Sequence, residues 1–448
     1  MLLCSLDMMV PTHQSTGLWR HPDADTEQYR DLGFWTRHAQ QLERAGFDAL
    51  FLADVAGVYD VYDGSGRTAI RAGMQYPMLD PMLAVSALAA ATTTLGFGVT
   101  ASVSYEQPYL LARRFATLDH LTGGRIGWNI VTGYQASAMA NLGATGQLAH
   151  DARYDRADEF MDVAYRLWEG TFEDGALVAD PAANTYLDPA KVHDAGHAGE
   201  YFTVPGPSLT FPGPQRTPFL FQAGSSPRGL DFAARHAEAL FFSGTTPENV
   251  RPLTEGVRAR VAASGRPTDS LKTITSVTVI AGGTDAEARE RLRDYARHVD
   301  EEAALSLLAG WTGLDLARYS PDDVLEHVEI EGNRSALQSF TTLDPDRSWT
   351  IRDLAAFMAI GARGPVIVGS GATVADELER WLAEAGVDGF NVDHALRGPD
   401  LAAFAEHVSP ELRRRGLIPE LPRGGTMRQR FLGTDTLPAG HHGISFRH

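Results

Sequence analysis

Apolar, strand-like runs alternate with amphipathic helical runs through most of this chain, and that alternation constrains its fold more than any other feature. Runs at 2–10, 47–53, 95–103, 125–131, 218–223, 239–243, 272–281 and 389–392 have the length and aliphatic or aromatic content of buried strands. Helical patterns lie between them at 27–45, 81–94, 108–120, 155–168, 228–236, 250–263, 374–385 and 401–415. Asp80-Pro81 reads as an N-cap followed by proline at the first helical position, and Gly46 and Gly386 read as helix stops. Such alternation argues for a parallel sheet, and eight units favour a closed (β/α)8 TIM barrel over an open doubly wound sheet. No second block of composition is visible in the 448 residues, so residues 1–416 read as one barrel domain. That domain carries a large insertion at about 284–365, with helical patterns at 285–301 and 321–327. A Pro- and Gly-rich tail at 417–448 is expected to lie across the surface or against a neighbouring subunit.

The formal net charge of -18 argues against nucleic acid or an anionic membrane as partner, because phosphate surfaces are bound by clustered cations. A bound anion would have to be cradled by local amides, hydroxyls and a few cations. The most apolar helical pattern, 81–94, is too short and alanine-rich to span a bilayer. With one cysteine, Cys4, neither an intrachain disulfide nor a cysteine metal site can form. Together with the lack of a signal peptide, this places the protein in a reducing cytoplasm, with Cys4 as a buried spectator.

Several standard signatures are missing. Gly64-Ser65-Gly66 and Gly369-Ser370-Gly371 never complete a GxGxxG pattern, no lysine follows a phosphate-binding glycine loop, and there is no GxSxG elbow. His193 and His197 have the spacing of a zinc helix, but Asp194, Gly196 and Gly199 make a plain loop the better reading, so no metal is expected. What remains are polar residues at the C-terminal ends of strands, where barrel active sites lie. Asp54 closes the second strand, Thr100 and Ser102 the third, and Asn129 and Thr132 the fourth. His150, Arg153 and Tyr154 fall in a loop before the next helix. Gly224-Ser225-Ser226 ends the fifth strand directly before a helix, which suits either an anion site or a simple helix cap.

The stretch Asp119-His120-Leu121-Thr122-Gly123-Gly124-Arg125-Ile126-Gly127-Trp128-Asn129 gives a helix end, a glycine turn and a buried strand. With it go Gly17-Leu18-Trp19-Arg20-His21-Pro22, Phe51-Leu52-Ala53-Asp54, Ser104-Tyr105-Glu106-Gln107-Pro108-Tyr109 and Ala152-Arg153-Tyr154-Asp155-Arg156-Ala157-Asp158-Glu159-Phe160. Gln222-Ala223-Gly224-Ser225-Ser226-Pro227, Val387-Asp388-Gly389-Phe390-Asn391 and Pro410-Glu411-Leu412-Arg413-Arg414-Arg415-Gly416 complete the set. In this order the motifs resemble the flavin-dependent monooxygenases of the nitrilotriacetate monooxygenase component A and dibenzothiophene sulfone monooxygenase type, within the bacterial-luciferase-like superfamily.

The resemblance implies a luciferase-like barrel that binds FMN. Asp54, Thr100, His150, Tyr154 and Ser225 match positions that contact flavin in the family, with Ser226, Asn129 and Thr132 as additions. It also implies a two-component system, in which a transient NAD(P)H-dependent flavin reductase supplies reduced FMN. The flavin reacts with O2 through a peroxyflavin, and a small organic substrate is oxygenated. His13 and His150 are the candidates for acid–base work, since imidazole changes charge near neutral pH. The insertion is the expected lid. Loop residues Tyr59, Tyr62, Trp311, Phe340 and Phe357 favour an apolar or aromatic substrate over a polyanionic chelate. A homo-oligomer, dimer or tetramer, is expected by analogy. One position departs from the family pattern: Gly133 stands where a serine is usual. It is the one feature favouring a flavin-binding protein without turnover; a deazaflavin-dependent oxidoreductase on the same fold is the further alternative.

Overall fold

The structure is a computed structural model that describes residues 1–143, 146, 148–344 and 347–448. Its main sheet contains β1 (Leu2–Asp7), β2 (Ala49–Leu52), β3 (Gly96–Ser102), β4 (Ile126–Val131), β5 (Phe219–Ala223), β6 (Ala239–Phe242), β7 (Lys272–Gly282), β8 (Val366–Ser370) and β9 (Gly389–Asp393). Strands β1 to β7 pair with their sequence neighbours in parallel, β7 pairs with β9, and β9 returns to β1. The ring is therefore a closed eight-stranded barrel, as the alternation predicts.

The unexpected strand is β8. At eleven residues β7 outruns the ring, and its overhang pairs with β8 from Thr278↔Val366 to Gly282↔Ser370. Pairing there satisfies backbone groups that a lone overhang would expose.

Aromatic rings fill the barrel floor. Phe51, Phe219, Phe221 and Phe241 pack there with Leu2, Cys4 and Leu6, and Cys4 is fully buried. Glycines on β3 and β4 make room for them: a Cβ on Gly98 would lie 2.8 Å from the Phe51 ring, and one on Gly127 2.6 Å from Phe221. The C-terminal segment departs from its expected surface course. The helix Met427–Leu432, capped by Thr426, inserts Met427 and Phe431 into the same floor cluster. Arg428 is fully buried and bidentate to Glu238, at 2.6 and 2.9 Å.

Two further differences bear on the site. The expected helix at 155–168 begins five residues earlier, running His150–Tyr165 before a π-turn at Arg166–Gly170. His150 and Tyr154 thus stand on the helix, not on a loop. In the insertion, 285–301 is broken into Asp285–Ala296 and Glu301–Thr312. The stretch expected as a helix at 321–327 is a turn followed by irregular chain, with Val324 bridged to Thr350, while helices form at Arg334–Gln338 and Ile351–Met358. The insertion has its own apolar cluster, which takes in Tyr59, Ala69 and Met74 from the excursion after β2. No helix among the described residues is long and apolar enough to cross a membrane.

Candidate active site

A cavity of about 610 Å³ opens where the barrel strands end, with Leu6, Phe51 and Phe241 on its apolar side. All ten catalytic and flavin-binding candidates from the sequence line it: His13, Asp54, Thr100, Ser102, Asn129, Thr132, His150, Tyr154, Ser225 and Ser226. Of the aromatic residues expected on the substrate side, Tyr59 and Trp311 line it, whereas Tyr62, Phe340 and Phe357 pack in the insertion's own apolar cluster. Strand register explains part of this convergence. Thr100 and Asn129 are direct partners on β3 and β4, and Asn129 Nδ2 donates to Thr100 Oγ1 at 2.8 Å. That bond fixes the amide orientation and leaves Asn129 Oδ1 buried with no hydrogen-bond partner among the described residues. An unsatisfied buried oxygen on a cavity wall is costly, so it is a place where a ligand's donor would fit.

The β5 end separates the two readings of its serines. Gly224 turns the chain at φ 135°, and Ser226 Oγ accepts from Gly229 N at 3.2 Å, so Ser226 is the cap of helix Pro227–His236. Ser225 is buried beside it. The Tyr154 hydroxyl faces Ser226 and Thr132, and burial raises its pKa against their influence. His150 Nε2 lies 3.4 Å from Ser226 Oγ, while its Nδ1 meets Asp151 Oδ1 at 2.6 Å. Burial lowers the His150 pKa more than the Asp151 bond raises it, which favours neutral imidazole. Arg153, a candidate anion ligand by position, is committed elsewhere: its terminal nitrogens donate to the carbonyls of Gly133 and Glu331, both at 2.7 Å.

Around the other rim, Asp54 is partly buried, and desolvation, then Asp80, then Glu106, push its pKa up to about 7. His13 Nδ1 pairs with Asp393 Oδ1 at 3.0 Å, both residues buried. Gly133 has φ 64°, and a Cβ there would sit 2.7 Å from the Tyr105 hydroxyl oxygen. The departure from serine therefore has a packing cause: the Tyr105 ring fills the space a side chain would need.

Sequence reasoning named Tyr59 and Trp311 but missed Gln75, Tyr134 and Arg363 on the cavity wall, and Asp393 behind His13. Asp393 lies one residue beyond the expected strand 389–392. Tyr59 Oη lies 2.7 Å from Tyr134 Oη and 2.9 Å from Gln75 Oε1, and accepts from Trp311 Nε1 at 3.2 Å. Arg363 completes that side of the cavity. The two histidines spaced like a zinc pair take separate carboxylates: His193 meets Glu173 at 2.8 Å and His197 meets Glu159 at 3.0 Å. Among the described residues, His21, Asp294 and His298 form one group of metal-type side chains, and none of the three lines the cavity.

A barrel with this polar rim is matched over residues 9–389 by the family model of the luciferase-like monooxygenases. The chain belongs to that family. This luciferase-like monooxygenase is 46% identical over 434 residues to a dimethyl-sulfide monooxygenase of Hyphomicrobium sulfonivorans, covering 97% of this chain and 90% of the relative. It is 34% identical over 419 residues to nitrilotriacetate monooxygenase component A of Aminobacter aminovorans, covering 92% of each. The solved structure of a riboflavin lyase with modified FMN and riboflavin superposes with a TM-score of 0.93 at 37% identity, covering 100% of this chain and 99% of that one. The luciferase-like monooxygenase is thus an oxygenase.

Proposed function

We propose that this oxygenase binds reduced FMN, delivered by a separate NAD(P)H-dependent reductase, and places one atom of O2 on a small organic substrate. The observation that carries the reading is the set of small donors around Ser225, Ser226, Tyr154 and His150, at the N-terminus of helix Pro227–His236. Hydroxyls and free helix amides suit a phosphate without a strong positive field, as an acidic chain requires. The unpartnered oxygen of Asn129 on the cavity wall suits a donor of a flavin-sized ligand. Bound reduced FMN would supply the electrons that activate O2, with one oxygen atom going to substrate and the other to water.

The chain's own groups then orient and shuttle protons. With Nδ1 of His13 engaged by Asp393, Nε2 is the atom left to give or take a proton. His150, held by Asp151, positions the Ser226 hydroxyl and is the second candidate. Thr100, Ser102, Asn129, Thr132 and Asp54 would line the ring. The insertion, which contributes Trp311, Asn333 and Arg334 to the cavity wall, is the proposed lid and would keep water out. The reductase partner has support in a relative named component A. A cytoplasmic dimer or tetramer completes the reading, and a solution mass measurement checks the latter. The alternative without turnover drew on Gly133, for which the Tyr105 ring supplies a packing reason.

The test compares FMN with riboflavin, which lacks the phosphate. Ser225→Ala with Tyr154→Phe is expected to weaken FMN by about tenfold or more and leave riboflavin unchanged. Equal affinity of the native chain for both would remove the phosphate site. Tighter binding of a deazaflavin would move the chain to that chemistry. Turnover is read with an added reductase, a substrate panel and 18O2, as a gain of one oxygen atom by mass.

A further inference from the structure

Arg363 lines the cavity from the turn between helix Ile351–Met358 and β8. The buried arginines elsewhere in this barrel are each anchored by at least one guanidinium hydrogen bond, as Arg153 and Arg430 are. Arg125 makes five hydrogen bonds from its guanidinium, to Thr122, Thr92, Leu95 and Ala89. Arg266 makes four, and Arg428 is paired with Glu238. The other arginines lining the cavity are held as well: Arg114 by Glu106, Arg153 by two carbonyls and Arg334 by the Ile330 carbonyl. Arg363 differs. Among the described residues its guanidinium has no hydrogen-bond partner and no carboxylate within 4.0 Å, and its neighbours are aromatic. Its Cζ lies 5.0 Å from the centre of the Trp311 ring, close to the Tyr59–Tyr134 phenol pair. Burial pulls its pKa down only to about 10, so it stays charged at neutral pH.

Stacking accounts for the flat face of a guanidinium but not for its five edge donors, which match a planar oxyanion. We propose that Arg363 anchors one carboxylate or sulfonate of the substrate, whose apolar or aromatic body packs along Tyr59, Tyr134 and Trp311. The substrate is then a small organic monoanion. A polyanion would bring further charge toward Asp54, Asp80 and Glu106, which share the cavity. This inference rests on the proposed oxygenation site, with FMN held on the Ser225 and Tyr154 side.

Benzoate and its near-isostere benzamide are the probes. Each is titrated into FMN-loaded protein, read by the flavin spectrum, and into protein without FMN, read by calorimetry. Benzoate is expected to bind about tenfold more tightly than benzamide or better. Arg363→Gln should erase that difference, Arg363→Lys should keep part of it, and FMN affinity should be unchanged in both. Thermal melts confirm that the variants fold. The inference is overturned if benzoate binds no better than benzamide, or if Arg363→Gln weakens FMN while sparing benzoate. Benzoate binding through Arg363 in a chain that takes up no FMN would sink the proposed function and leave the anion site standing.

Discussion

Asp54 carries a titration that can be followed directly. Its folded pKa of about 7 lies above its ordinary value of 3.8, with burial as the first cause. For an acid shifted upward, the folded state holds its proton longer than the unfolded state does. The associated stability is therefore full below pH 3.8 and is lost as pH rises toward 7. Asp54→Asn should be neutral in denaturation at pH 4 and stabilising by about 1–3 kcal/mol at pH 8. A gain equal at both pH values would refute the shift. Asp393 makes a different claim, on rate. Asp393→Asn should lower kcat by roughly 10- to 1,000-fold with KM and FMN affinity near native values, because it frees the His13 ring without touching the flavin side. Unchanged kcat would show that the pair is structural only. Thr100 and Asn129 were legible in the sequence because strand ends follow from hydrophobic runs. Asp393 was not, since its carboxylate meets a histidine 380 residues away.

At the scale of elements, the final helix is where sequence reading and structure part most. A proline- and glycine-rich segment reads as a surface tail, and arginine is rarely a fully buried residue. Yet Met427 and Phe431 close the barrel floor, and Arg428 and Glu238 bury opposite charges together. Phe431→Ala is expected to cost about 3–5 kcal/mol through the cavity it leaves. Arg428→Met should cost a similar amount, about 3–5 kcal/mol, because Glu238 would be buried without a partner. Denaturant unfolding measures both, and a chain ending at Gly416 with native stability would show that the floor closes without this helix. The start of helix His150–Tyr165 was hidden for a related reason. Its first amide is satisfied by Glu331, 181 residues away, so no local cap announces it. Local signals located the elements whose caps and partners are local, such as Pro108–Thr122 with its glycine stop.

For the whole molecule, the acidic balance read from composition meets a cavity whose own charges partly cancel. Arg114, Arg153, Arg334 and Arg363 line it against Asp54, Asp80 and Glu106, and with Asp54 about half protonated near pH 7 the excess is between one and two positive charges. Local attraction of an anion is therefore weak, and the net charge of -18 governs the approach. FMN carries a phosphate and is repelled at long range, whereas riboflavin is neutral. Raising ionic strength from about 0.01 M to about 0.15 M shortens the screening length from about 30 Å to about 8 Å. The association rate of FMN should then rise about two- to tenfold, while that of riboflavin stays constant. Once seated, the phosphate would be held by hydroxyls and amides at short range, so the dissociation rate should change little with salt. Stopped-flow flavin fluorescence separates the two rates. A fall in FMN association with salt would show that the arginines at the cavity outweigh the acidic surface, and the cradle would then have to be redrawn around them.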